Sequence, residues 1–390
     1  DLIIAVTHSD EVNMVSCQVA HSLFDVTTKI ARIREQGYLS SLWANLFSRD
    51  HMPIDWIISP EKEVAKGVIR RLSVPGAFEM IPLADDRVKL LGVRCDKNCP
   101  IVSTPLRQLT KLFPDLNIVI VGILRDSKSI IPSSEQEMLP GDEVYFVVDS
   151  KQVSRAMSAF GHEEREARRL LVFGGGNIGL FLAQQIEEEY EWVKTKIIES
   201  DRERAELIHS LLEDTMVLQG DVLDPDILEE ANIGETETVV AVTNDDETNI
   251  LASLLAKRSG CERTITLINK SAYEPLISSL GIDVVVSPRN ITVSKILQHI
   301  RSGRIHSVHT LRDGFGELIE AEALETSELV GKPIREINLP SGVMLGAIVR
   351  EGEMICPTGS LVIKAQDRVI LFAAAEVIRK VEKLFSVQLE

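Results

Sequence analysis

The chain has 390 residues, 44% of them hydrophobic, which is enough for two to four packed domains and excludes disorder as a general description. Its 42 Lys and Arg stand against 59 Asp and Glu, a formal net charge of −17, and no basic run exceeds a few residues, so a footprint for a nucleic-acid backbone is excluded. No apolar stretch approaches the roughly 18 residues of a bilayer span, and the opening DLIIAV is too short for a signal-peptide core, so the expected location is the cytoplasm.

In chain order, IIAVTHSDEVNMV (3–15) reads as an apolar strand running into a helix, and IDWIISP (54–60) as another strand. EKEVAKGVIRRL (61–72) then places Val64, Val68, Ile69 and Leu72 on one helical face. About 80 residues follow, with strands, a Pro-marked turn and a closing amphipathic helix, KQVSRAMSAF (151–160). Within them CDKNC brings Cys95 and Cys99 close together, but no second Cys/His pair stands at zinc spacing. With Cys17, Cys261 and Cys356 they form an odd, scattered set that fits reduced thiols, not a disulfide framework.

A second unit begins at RLLVFGGG (169–176), an apolar strand closed by glycines. LFLAQQIEEEY (180–190) reads as a helix and VKTKIIESD (193–201) as the next strand, giving the opening β–α–β of a dinucleotide-binding fold. Gly174, Gly176 and Gly179 meet its G-x-G-x-x-G fingerprint: the first makes the tight turn, the second lets backbone approach a pyrophosphate, the third packs helix on strand. Glu199 stands twenty residues after Gly179, where an acid accepts hydrogen bonds from an adenosine ribose; the alternative is an ordinary solvated acid at a strand end. TMVLQGDV (215–222) ends a third strand at Gly220 and Asp221, placing Asp221 toward an adenine, and TVVAVTND (238–245) ends a fourth at Thr243, Asn244 and Asp245, beside ribose or phosphate. The same Asn244 or Asp245 can equally cap the helix of ETNILASLLAKRSG (247–260). ITVSKILQHIR (291–301) puts Val293, Ile296, Leu297 and Ile300 on one face, and a last amphipathic helix, EVIRKVEKLF (376–385), closes the chain. The two helices that leave the large lobes can bury their apolar faces on their own lobe or on a partner lobe.

The chain is an internal repeat. Ala5, Val6, Thr7, Asp10, Glu11 and Asn13 recur as Ala241, Val242, Thr243, Asp246, Glu247 and Asn249; IDWIISP returns as IDVVVSP (282–288), GDEVYFV (141–147) as QDRVILF (366–372), and GILRDSKSIIP (122–132) as AIVREGEMICP (347–357). The expected architecture is α/β: tandem Rossmann-like lobes with doubly wound parallel sheets, each followed by a small α+β lobe. The boundaries are 1–73 for a partial first Rossmann lobe, 74–160 for its small lobe, 161–168 for a linker, 169–302 for a complete second Rossmann lobe and 303–390 for its small lobe.

With GGGNIG, AVTNDDETNI and SPRNITVSKILQHIR in place on two tandem units, the whole chain resembles the cytosolic nucleotide-binding subunit of bacterial Trk potassium-uptake systems, built from regulator-of-potassium-conductance (RCK) domains. The resemblance implies a homotetrameric ring under a membrane potassium-channel-like partner, at the inner face of the cell membrane, whose gating is biased by bound NAD(H), ATP or ADP. It implies that Gly174, Gly176, Asn177, Ile178 and Gly179 cradle the pyrophosphate, that Glu199 holds the ribose, that Asp221 neighbours the adenine and that Thr243 to Asp245 line the remaining edge. Arg202 would reach phosphate from the side, or else is a solvated arginine at a helix start. Against the family pattern, residue 1 aligns with the fourth strand of the first lobe, so a glycine fingerprint for that lobe would lie upstream of the sequence. A rival reading, an NAD-dependent oxidoreductase, needs a positioned proton donor, and His209, His299, His306 and His309 have no motif around them. A nucleotide sensor for another transporter differs only in its partner.

Overall fold

The computed structural model describes residues 1–43, 45–126, 128–273, 276–277, 280–300, 305–311, 315–378 and 380–381. The expected boundary at 302/303 and the end of the expected last helix, from 382 onward, lie outside them.

The second large lobe is a six-stranded, all-parallel sheet of β9 (Arg169–Phe173), β10 (Lys194–Glu199), β11 (Met216–Gln219), β12 (Thr238–Ala241), β13 (Arg263–Leu267) and β14 (Val284–Val286). Its order is β11-β10-β9-β12-β13-β14, so the winding reverses between β9 and β12, the switch point where doubly wound sheets open their ligand crevice. β9 and β12 are almost wholly buried, as central parallel strands covered on both faces must be. Helices α5 (Asn177–Glu189), α6 (Arg202–Leu211), α7 (Pro225–Glu230) and α8 (Asp246–Arg258) connect the strands.

The first large lobe shows the matching back half. β1 (Leu2–Ala5), β2 (Thr28–Arg32) and β3 (Trp56–Ile58) form a parallel sheet in that order, with α1 (Asp10–Phe24) between β1 and β2 as α8 lies between β12 and β13.

Each small lobe is an antiparallel five-stranded sheet of one topology. β4 (Ala77–Leu83), β5 (Val88–Arg94), β6 (Ile118–Arg125), β7 (Lys128–Ile130) and β8 (Glu143–Asp149) are ordered β4-β5-β8-β6-β7. β15 (Ile305–Leu311), β16 (Gly316–Glu322), β17 (Val343–Arg350), β18 (Glu353–Ile355) and β19 (Arg368–Ala374) are ordered β15-β16-β19-β17-β18. The Arg that the repeat keeps has one task in both. Arg125 grips Asp142 with two hydrogen bonds of 2.8 and 2.7 Å and donates to the Glu137 carbonyl at 2.9 Å; Arg350 grips Asp367 at 2.8 and 2.7 Å and donates to the Val362 carbonyl at 2.9 Å. The copies diverge where α3 (Leu106–Leu112) in the first small lobe is replaced by a single 3₁₀ turn, Ile334–Glu336, in the second. In the first, α4 (Val153–Ala159) supplies the expected closing helix. The two small sheets share one core, with Tyr145 and Val147 of the first against Phe315, Leu318 and Phe372 of the second.

The crossover helices settle the question of whose lobe they serve. α2 (Pro60–Leu72) buries Val64, Val68 and Ile69 among Leu170, Leu182 and Ile186 of the second large lobe, and Lys62 lies 5.2 Å from the Phe181 ring centroid. Burying each such side chain stabilises by about 1.5–3 kcal/mol, so this helix fastens one half of the chain to the other. Its counterpart α9 (Pro288–Ile300) crosses back: His299 stacks on Trp56 at 4.0 Å between ring centroids, and Leu297 packs on the second small lobe. Val293, expected on the buried face, remains 39% exposed.

Candidate functional site: the C-terminal edge of the parallel sheet

β9 runs into the glycine loop and then α5. Gly174 has φ +101°, a conformation only glycine adopts without strain, and a Cβ there would come within 3.0 Å of the Thr243 backbone. Gly179 has no room either, because its Cβ would collide with the Gly174 carbonyl oxygen. Gly176 differs: a Cβ would meet nothing within 4 Å. Two glycines thus fold the loop, and the third leaves open space in front of it. That space faces the start of α5, where Gly176 is the N-cap and offers no side-chain acceptor. The neighbouring helices along this edge are all capped by aspartates: Asp201 accepts from Arg204 N–H, Asp224 from Asp226 N–H and Asp245 from Thr248 N–H. α5 is left with uncapped amides pointing at the crevice, an arrangement that favours an anion.

The other candidates gather around this loop. The Glu199 carboxylate accepts from Gly175 N–H at 2.7 Å and from Asp201 N–H at 2.9 Å, tying the end of β10 to the loop, and it is half-buried rather than simply solvated. Asn177 sits on the first turn of α5; Ile178, beside it, packs into the lobe core. Asp221, exposed just past β11, accepts from Leu223 N–H at 2.9 Å in a tight turn. Thr243 faces Gly174 across the switch point; Asn244 is exposed beside it, and Asp245 performs the capping that the sequence left open.

Arg202 stands apart: it is paired with Glu206 at 2.9 Å, its side chain 83% exposed. The arginine that touches the loop is Arg204, which donates to the Gly175 carbonyl at 2.8 Å and to the Asn177 side-chain oxygen at 3.2 Å. The sequence carries a signal for it: once Asp201 is recognised as the cap, Arg204 is the third residue of α6, and helix side chains lean toward the N-terminus, here toward the glycine loop.

The repeated Thr-Asp-Glu-Asn residues form a framework behind the site. Asn249, fully buried, accepts from Thr243 N–H at 2.9 Å and Thr243 Oγ1 at 2.7 Å, and donates to the Thr243 and Leu267 carbonyls, both at 3.1 Å. Buried Asp246 accepts from Asn269 N–H at 3.0 Å and Lys270 N–H at 2.8 Å. Glu247, held down to about 2 by Lys270 and then Tyr273, accepts from both at 2.8 and 2.5 Å. In the first half Asn13, Asp10 and Glu11 repeat the scheme: Asn13 accepts from Thr7 N–H at 2.8 Å and donates to the Arg32 carbonyl at 2.9 Å, Asp10 accepts from Arg34 and Glu35 N–H at 2.8 and 2.7 Å, and Glu11 accepts from Tyr38 at 3.1 Å. This scheme locks the strand ends in place; its Asn, Asp and Glu brace the loops, and Thr243 alone of the second-half set also borders Gly174.

The side chains at this edge are Asn177, Glu199, Arg204, Asp221, Thr243, Asn244 and Asp245, groups suited to hydrogen bonding and charge pairing. None of them is a histidine, lysine or tyrosine placed for proton transfer. His299, His306 and His309 lie on α9 and β15, away from it.

Fold and site together define a tandem protein of Rossmann-type lobes with antiparallel companions, with a glycine-loop crevice suited to an anion-bearing ligand at the switch point of the second large lobe. The TrkA-N domain family matches residues 170–288, and the TrkA-C domain family matches residues 90–161 and 318–386. A Trk system potassium uptake protein TrkA from Azorhizobium caulinodans is 53% identical over 390 residues, covering 100% of this chain and 85% of that protein; one from Halomonas elongata is 39% identical over 393 residues, with 100% and 85% covered. The chain belongs to the TrkA family of Trk system potassium uptake proteins. Among solved structures, the GsuK RCK domain aligns with TM-score 0.57 at 19% identity, covering 98% of this chain and 80% of that one, and the GsuK channel bound to NAD aligns with TM-score 0.55 at 18% identity, covering 98% and 66%. These likenesses establish the fold.

Proposed function

We propose that this chain is the nucleotide-binding regulatory subunit of a Trk-type potassium-uptake system, gating a membrane potassium channel or transporter without catalysing a reaction. The observation that carries the ligand class is the uncapped start of α5 beside the open space at Gly176, among neighbours that are all capped. Naming of the relatives as potassium uptake proteins supports the transport role, and a channel of the same fold bound to NAD supports the dinucleotide. Gly174 and Gly179 shape the cradle, Gly176 and the amides of Asn177 and Ile178 receive the pyrophosphate of NAD(H), ATP or ADP, Glu199 turns to the ribose, Asp221 neighbours the adenine, and Thr243 and Asn244 line the far wall, with Arg204 replacing Arg202 as the guanidinium beside the loop. The division at 1–73, 74–160, 169–302 and 303–390, with 161–168 as linker, belongs to the same reading.

Among the described residues no helix is long and apolar enough to cross a membrane. In this reading the membrane step belongs to a partner, met from the cytoplasmic side by a homo-oligomeric ring. Gating follows from differential affinity: a nucleotide that prefers one arrangement of the ring tenfold shifts the balance by about 1.4 kcal/mol per site. Calorimetric titration of the chain with NADH, NAD, ATP and ADP, followed by absorbance at the nicotinamide band, tests the reading. Binding without cofactor turnover agrees with a gating sensor. Steady oxidation or reduction of the cofactor would restore the oxidoreductase.

A further inference from the structure

A second cavity, of about 180 Å³, lies between the two halves of the chain, walled by α2, β4, β14, α9 and β15. It lies away from the glycine loop and shares none of its residues. Its walls carry both signs of charge, but the acids have cations of their own. Glu79 is bound to Arg71, Glu143 to Arg94 at 2.9 Å, Asp283 to Lys257 at 3.1 Å, and Glu63 is nearest Lys66 at 3.6 Å. What remains is an excess of positive groups: the side chains of Arg70 from α2 and Lys295 from α9, both half-buried, make no hydrogen bond or ion pair among the described residues.

Several further features point the same way. Burial lowers the pKa of Arg70 despite the nearby charges of Glu63 and Glu79, the mark of a guanidinium drawn out of water without an adequate partner. His309, on β15, is pushed down to about 4, first by burial and then by the fields of Arg70 and Lys295, which places the three groups around one space. Beside it Thr310 lines the cavity with its Oγ1 buried and unpartnered, while Ser294 on α9 accepts from Thr310 N–H at 3.0 Å. An unsatisfied buried hydroxyl such as Thr310 Oγ1 costs of the order of 1–3 kcal/mol, and beside two half-buried cations without partners it is poised for an acceptor-rich ligand.

We propose that this cavity is a second ligand site, for a small phosphate-bearing anion the size of a diphosphate, bound by Arg70, Lys295 and the Thr310 hydroxyl. The cavity volume of about 180 Å³ suits a diphosphate-sized group. Because Arg70 belongs to the first half and Lys295 and Thr310 to the second, an occupant ties the halves together at the place where α2 and α9 cross, independently of the nucleotide at the glycine loop.

The test uses inorganic pyrophosphate as probe, titrated calorimetrically into the full chain carrying Gly176→Val, so that the glycine loop does not contribute. The expected result is binding that survives Gly176→Val and weakens at least tenfold when Arg70→Gln and Lys295→Gln are added, with circular dichroism and the unfolding midpoint confirming a folded chain. Replacing two unpaired cations should leave that midpoint unchanged or raised in the absence of pyrophosphate. Loss of all pyrophosphate binding on Gly176→Val alone would overturn the proposal, as would binding that Arg70→Gln and Lys295→Gln leave intact.

Discussion

The loop after β1 and the loop after β12 are built alike, yet only the second lies against a described glycine turn. Both keep the buried asparagine, Asn13 or Asn249, that accepts from a threonine amide and donates to a neighbouring strand's carbonyl, and both keep the buried aspartate, Asp10 or Asp246, that fixes the next strand's end. The difference lies in what faces them: Thr243 packs against Gly174, whose turn opens α5 toward the crevice. The recurring Asn, Asp and Glu are therefore framework, Thr243 serves the framework and also borders the crevice, and the rest of the proposed ligand-facing part, the glycine loop, Glu199 and Arg204, is not copied by the repeat among the described residues.

Paired substitutions in the two halves show which copied contacts carry equal weight. The largest effect is expected in the small lobes. Asp142→Ala and Asp367→Ala each strand a bound arginine and remove an almost fully buried carboxylate, and each should cost about 3–5 kcal/mol in denaturant unfolding. Similar losses confirm that the two networks do the same work; a negligible loss in one would show that copied geometry is not copied energetics. Next, Asn13→Ala and Asn249→Ala each leave an amide and a carbonyl unsatisfied and should destabilise by about 1–3 kcal/mol, but only Asn249→Ala, which frees Thr243, should also weaken nucleotide binding.

A pH series addresses the junction between the halves. His309 titrates at about 4 in the folded chain against 6.5 unfolded, so between those values the unfolded chain binds the extra proton. Stability should therefore fall as pH drops from 6.5 to 4, by up to about 1.4 kcal/mol per unit from this residue, and His309→Gln should remove that component of the slope. The smallest effects separate the two arginines at the start of α6. Arg204→Ala should weaken nucleotide affinity about fivefold to tenfold through loss of its loop contacts, whereas Arg202→Ala, which gives up an exposed pair, should change it less than twofold.

Much of this was legible in the sequence. The tandem layout followed from the repeat, and the glycine turn from a fingerprint placed between an apolar strand and a helix. Each of those signals is local, a spacing of residues that chemistry constrains tightly. What escaped was set by tertiary contact. The apolar face of α2 was plain, but only the structure shows that Val64, Val68 and Ile69 lie in the second lobe's core. Glu199 reads from spacing as a ribose partner and is found holding Gly175 N–H, a contact set by how β10 packs beside the loop. Arg202 and Arg204 are two residues apart on one helix, and a rotation of about 200° separates a solvated side chain from one on the loop. The cavity at Arg70 and Lys295 joins residues more than two hundred positions apart, so no pattern along the chain announces it.

The glycine loop between β9 and α5 is the proposed nucleotide site. Its most direct test is calorimetric titration of NADH into the unaltered chain and into Gly176→Val, with the unfolding midpoint of each measured alongside. A Cβ at Gly176 meets nothing within 4 Å, so valine should occupy the open space before α5 with a midpoint lowered by no more than the small cost of valine at an N-cap, and with NADH affinity lowered by at least about a hundredfold. Equal affinity in the two proteins would contradict it and move the site elsewhere.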